Sequence, residues 1–130
     1  MHTDELLTLM PFAVATGIVL ERAAPDEVVG RLAWATERCT AGGLMHGGAL
    51  MTLADSIGAV CAFLNLPPGA STSTVSSTTS LVRGLRSGAA HAVARPAHVG
   101  RSFILVNVEL TDDDGRLLAQ TTQTQAVLPG

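Results

Sequence analysis

Thr52, Asp55 and Ser56 stand at i, i+3 and i+4 within an otherwise apolar run, Ala49 to Leu64, that reads as a helix. That spacing puts the three polar side chains on one face. A carboxylate in the middle of an apolar helix is costly unless it is paired or used. Asp55 could cap a neighbouring loop or meet an arginine; the chemical reading is a poised carboxylate in a cleft. Just upstream lies a glycine-rich stretch, Ala41-Gly42-Gly43-Leu44-Met45-His46-Gly47-Gly48. A helix N-terminus offers free N–H groups and positive partial charge. Gly47 and Gly48 let a ligand approach that backbone closely. Together these features could polarise a carbonyl as an oxyanion hole does, although glycine before a helix can also be only a turn.

Distance then constrains the chemistry. The eight residues from Gly47 to Asp55 span about 12 Å of helix at about 1.5 Å per residue. The Gly47 N–H and Asp55 of one chain therefore cannot serve one carbonyl. Two antiparallel copies of the helix across a two-fold axis can bring them together, which makes a homodimer the expected assembly.

The elements that must hold these groups follow from pattern. Thr3-Asp4-Glu5 and the apolar residues after it predict a short capped helix ended by Pro11. Gly17 to Ala23 and Val28 to Thr36 read as strands joined by a turn at Ala24-Pro25-Asp26-Glu27. The long helix stops at Asn65, Pro67, Pro68 and Gly69. Ser71 to Ser80 is Ser or Thr everywhere except Val75; a strand from about Thr74 through Val82 is preferred over disorder. Ala89 to Val99, Ser102 to Thr111 and Arg116 to Val127 complete the strands, with a hairpin turn at Asp112-Asp113-Asp114-Gly115. The helix is apolar nearly all round, so burial on most sides is expected. A curled antiparallel sheet of five to six strands wrapped around it, an α+β fold, is the simplest arrangement.

Composition narrows the function. The 130 residues suit a single domain, 1–130. The chain is 47% hydrophobic and only 15% charged, against roughly 25% charged for an average soluble domain. That excludes disorder and favours an oligomer hiding part of the surface. Scarce aromatics and a net charge of −3 argue against nucleic-acid binding. Two isolated cysteines, Cys39 and Cys61, argue against a metal site and fit a reducing cytoplasm. Leu6 to Leu20 is interrupted by Pro11 and Gly17 and preceded by Asp4 and Glu5, so neither a signal peptide nor a membrane span is expected. Residues 56–108 carry Arg83, Arg86, Arg95 and Arg101 and no acid, a candidate anion site with His91 and His98; the bland alternative is pairing with acids elsewhere.

The run Gly43-Leu44-Met45-His46-Gly47-Gly48-Ala49-Leu50, followed by Leu53-Ala54-Asp55, resembles the G-x-x-H-G-G…L-A-D signature of hotdog-fold thioesterases, most nearly the PaaI-like branch. Gly100-Arg101-Ser102 and Asp114-Gly115-Arg116-Leu117-Leu118-Ala119 are similar to the family's later strands. The resemblance implies hydrolysis of an acyl-CoA without a cofactor, by a homodimer or a dimer of dimers. Gly47 would offer its N–H to the thioester oxygen, with Gly48 beside it. Asp55 of the other subunit would be nucleophile or general base. His46 would hold the loop rather than transfer protons. Thr74, or else Ser73, would place a hydroxyl near the attacking water. Arg101, with Ser102, would meet the CoA nucleotide. The family usually has Asn or Gln six residues before the His; here Thr40 stands there, with shorter reach.

Two other functions compete with hydrolysis: a non-catalytic module that binds acyl-CoA, and a hydratase or dehydratase, to which His46 is poorly matched. Gly58, Ala59 and Ala62 hint at room for an aryl or medium-chain acyl group, or simply at close helix packing.

Overall fold

The computed structural model describes residues 2–130. Two short helices, α1 (Thr3–Thr8) and α2 (Pro11–Thr16), lead into strands β1 (Val19–Ala24) and β2 (Glu27–Ala33). After two 3-10 turns comes the long helix α3 (Gly47–Phe63), then β3 (Ser71–Leu81), β4 (Ala89–Val99), β5 (Phe103–Thr111) and β6 (Leu117–Leu128). The strands form one antiparallel sheet in the order β1-β2-β4-β5-β6-β3. The α+β class and the curled sheet around one helix are as expected.

Pairing explains why α3 sits where it does. Ala90, Ala92 and Ala94 line the inner face of β4, and all are fully buried. Side chains this small let the helix approach the middle of the sheet. Ile104, Val106, Val108 and Leu110 do the same work from β5 with larger side chains, and Leu50, Leu53, Ala54, Ile57 and Cys61 meet them from the helix. β5 and β6 join where the sequence places a hairpin. The backbone N–H groups of Arg116 and Asp114 each donate to Asp112 Oδ1 at 2.9 Å. These bonds, led by the Arg116 N–H, hold the Asp112 carboxyl below its ordinary range.

Local departures from the expected elements have local causes. Pro11 does not simply end α1: it opens α2, at the first helical position, where its missing N–H costs nothing. Gly17 does not begin β1. It closes α2 in the left-handed conformation, φ 99°, which glycine adopts without strain. α3 starts at Gly47, two residues earlier than expected, because both glycines are helical. β3 starts at Ser71 rather than Thr74, since the whole Ser/Thr run pairs with β6.

α3 is buried on most sides, as expected, and open along one stripe: Met51 is 43% and Phe63 38% exposed, and Asp55, between them on the same i+4 stripe, is exposed too. The stripe lies beside β3, a sheet-edge strand whose residues are almost all exposed. Among the described residues no helix is long and apolar enough to cross a membrane.

Candidate active site

The start of α3 is built from a tight loop. Thr40 N–H donates to Leu44 O at 2.8 Å, and Gly42 and Gly43 take positive φ between them. Met45 and His46 are fixed by N–H bonds to Leu85 O and Arg38 O, both 2.8 Å. His46 is then the N-cap: its Nδ1 accepts the Gly48 N–H at 2.8 Å. An accepting Nδ1 puts the ring proton of the neutral imidazole on Nε2. The His46 carbonyl accepts from Ala49 and Leu50. Of the first-turn donors only the Gly47 N–H has no acceptor among the described residues. It borders a cavity of about 220 Å³ lined by Thr40, Leu50, Leu81 and Arg83. Gly48, by contrast, faces a separate cavity with His46 and Phe12. The two glycines therefore differ: one N–H is free and the other is consumed by the cap.

Asp55 sits two turns further along. Thr74 Oγ1 donates to its Oδ1 at 2.9 Å, and Gln123 Nε2 donates to the same oxygen. Gln125 Nε2 in turn donates to Thr74 Oγ1 at 2.8 Å. Thr74 is thus on the Asp55 side of β3. Ser73, its neighbour, points to the opposite face by strand alternation. Thr52 does not join the group; its hydroxyl bonds back to Gly48 O at 2.8 Å, and Ser56 turns into the core. The expected buried carboxylate is corrected to an exposed one, because Asp55 lies on the open stripe of the helix. Cys61, a conceivable nucleophile, is fully buried, and burial with Asp26 beyond it pushes its thiol up to about 11. It stays protonated at neutral pH.

The arginine block is divided rather than shared. Arg95 pairs with Glu27 at 2.6 Å, Arg86 bonds Gly42 O at 3.0 Å, and His91 meets Asp113 at 2.6 Å. Arg83 borders the Gly47 cavity. Arg101 and Ser102 lie with His98 and Phe103 around a groove of about 570 Å³ at the β4–β5 turn, and Arg101 has no ion pair among the described residues.

Of the small residues on α3, Gly58 and Ala62 leave no room. A Cβ on Gly58 would run into Gln123 Oε1, and Ala62 is fully buried. Ala59, of these three, borders open space, an apolar cavity of about 290 Å³ lined by Leu6, Met10, Val60, Phe63 and Thr72.

Gln123 and Gln125 are the site residues that the sequence pattern does not reveal. From Gln120 to Gln125 every residue is Gln or Thr, so period two gives no inward face. The only hint is a polar run of that length in a chain so apolar.

A single long helix cradled by one six-stranded antiparallel sheet, opening on a glycine turn, is the hotdog fold. A family model described as the thioesterase superfamily matches residues 42–119, and the chain belongs to that family. It is 34% identical over 86 residues to the 1,4-dihydroxy-2-naphthoyl-CoA hydrolase of Escherichia coli K12, which is 66% of this chain and 63% of that protein. A crystal structure of a mutant thioesterase PA1618 from Pseudomonas aeruginosa has a TM-score of 0.93 at 27% identity, covering 100% of this chain and 96% of that one. A mutant of the phenylacetic acid degradation protein PaaI from Thermus thermophilus has a TM-score of 0.83 at 28% identity, over 91% and 99% of the two chains. The matches to the first curated relatives span 61% and 63% of those proteins' length.

Proposed function

We propose that this protein hydrolyses an acyl-CoA thioester to the free acid and CoA, with two copies of the chain forming each site. The carrying observation is the pair of unspent groups on α3: the free Gly47 N–H and the outward Asp55 carboxylate. The N–H stabilises the oxyanion that forms when the thioester carbonyl is attacked. Asp55 attacks that carbon itself or takes the proton of an attacking water. The thiolate of CoA leaves as the carbonyl re-forms; where Asp55 is the nucleophile, water then hydrolyses the mixed anhydride, which frees the acid and restores the carboxylate.

A second copy is needed because the two groups lie about 12 Å apart on one helix. The surface favours such a partner. β3 is a long edge strand without a charged residue, and Met51, Val75, Leu81 and Val82 are exposed around it. An exposed edge of that kind is a template for another strand. Pairing β3 with β3 of the second copy covers these residues and sets the two helices side by side. The apolar cavity at Ala59, one turn beyond Asp55, suits an aryl or medium-chain acyl group.

Release of free thiol from a panel of acyl-CoA esters, read with a thiol reagent, tests the activity. Tight binding of an acyl-CoA with no thiol released would make the protein a binding module instead. Arg101 gives a finer check. If its guanidinium holds a CoA phosphate, Arg101→Ala raises KM for acyl-CoA about tenfold with kcat kept, the worth of one charged hydrogen bond near 1.5 kcal/mol. The rise shrinks for a pantetheine thioester, which lacks the nucleotide. Equal losses on both substrates would remove the phosphate role.

A further inference from the structure

Gln123 and Gln125 follow Ala119 and Thr121 on the inward face of β6, and both are fully buried. An amide is an expensive side chain to bury, and an aliphatic one would pack there without that cost. Their hydrogen bonds show where the amides are directed. Gln125 Oε1 faces the Thr72 hydroxyl at 3.0 Å, whose proton it shares with Ala126 O at 2.8 Å, and Gln125 Nε2 donates to Thr74 Oγ1 at 2.8 Å. With that lone pair occupied, the Thr74 hydroxyl proton goes to Asp55 Oδ1. Gln123 Nε2 reaches the same Oδ1 from the sheet. Two donors from two strands thus meet one carboxylate oxygen, and Oδ2 has no partner among the described residues.

Gly58 belongs to the same construction. Glycine within a helix costs about 1 kcal/mol relative to alanine, yet here it lies three residues after Asp55 in the middle of α3. An added Cβ would collide with Gln123 Oε1 and approach Val108 Cγ2 to 3.3 Å. The missing side chain is the notch through which the Gln123 amide passes the helix to reach Asp55. Gln123 Oε1, pressed into that notch, is a buried acceptor with no hydrogen-bond partner. Leaving an acceptor unmade is a stability cost, of the kind retained at functional sites rather than in cores chosen for packing.

We propose that Gln123 is a positioning residue for Asp55, seconded by the Gln125–Thr74 pair, and that Gly58 is glycine in order to admit it. The two donors hold the carboxylate in one rotamer with Oδ2 as the reacting oxygen. The inference rests on Asp55 as the reacting group. Because all five residues belong to one chain, this half of the site is assembled before a second copy arrives.

The test measures kcat and KM separately for the best acyl-CoA substrate. Gln123→Met keeps the length and volume and removes the donor. Gly58→Ala keeps every polar atom and displaces the amide. For Gln123→Met we expect kcat to fall between about 10- and 100-fold, the scale of a misplacement near 1 Å, with KM within about twofold. Gly58→Ala lowers kcat in the same direction, and the displaced amide lowers its thermal midpoint as well. In a Gln123→Val background, which leaves the notch empty, Gly58→Ala adds no further loss. If Gln123→Met fails to fold, Gly58→Ala and this pair carry the same readout. An unchanged kcat in folded Gln123→Met, or in Gly58→Ala when that variant alone folds, overturns the proposal; so does an additive loss in the Val background. Asp55→Asn, run in parallel, separates the two levels. A dead Asp55→Asn with a fully active Gln123→Met removes the positioning role alone. An active Asp55→Asn removes Asp55 as the reacting group, and the positioning role falls with it.

Discussion

Asp55→Asn loses between about 10² and 10⁴ in kcat, the range for removing one acid–base group, and more if the carboxylate attacks the carbonyl covalently. The substitution is mild for the fold. Asparagine presents an Oδ1 that can still accept from Thr74 Oγ1 and Gln123 Nε2, so the local hydrogen bonds survive. What disappears is the charge and the basicity of the second oxygen, which becomes an amide nitrogen. Asp55 is exposed in the single chain, so the exchange opens no hole in the core. CoA affinity, read by calorimetry, stays near that of the native protein, because Asp55 does not line the Arg101 groove. Near-native turnover by the purified variant would remove Asp55 from the chemistry and leave hydrolysis to other groups.

The site was legible in the sequence where local spacing decides geometry. Gly47 and Asp55 lie on one helix, so their separation follows from rise per residue alone. That His46 holds the loop came from the resemblance, and its cap on the Gly48 N–H is what the structure adds. Thr74 meets Asp55 across a strand–helix contact that residue types cannot specify; only resemblance pointed to it, with Ser73 as the rival that strand alternation turns away. Gln123 was illegible for a different reason. Its role depends on β6 lying next to β3, a pairing between strands distant in sequence, and on a glycine notch in α3 that reads in the sequence as room for substrate. The arginine block misled because consecutive charges in sequence went to different strands and turns: Arg95 to Glu27, Arg86 to the glycine loop, Arg101 to an outer groove. The open stripe Met51–Asp55–Phe63 was hidden by composition. A helix apolar on every face looks buried in its own fold, although one face can be reserved for a second copy.

That second copy yields the other large effect, through complementation of two inactive variants. One is Asp55→Ala. The other is Gly47→Pro, which deletes the free N–H itself. Position 47 is the first residue of α3, where proline is well tolerated. His46, the residue before it, already has φ −59° and ψ 135°, the extended conformation that a following proline requires. The ring's Cβ would come within 2.8 Å of Leu81 Cδ1, the far end of a flexible side chain that a small rotation moves clear. Gly47→Pro therefore folds, and loses about 10² to 10³ in kcat, the effect of removing one oxyanion donor. In the proposed two-fold dimer there are two sites, each using Gly47 of one chain and Asp55 of the other. In the mixed dimer one site carries both lesions and the other carries neither. Co-expressed with different tags and purified as the heterodimer, the pair recovers about half the native activity per dimer, although each homodimer is nearly silent. If instead both groups served a site within one chain, every site in the mixed dimer would carry one lesion, and the heterodimer would stay as silent as its parents.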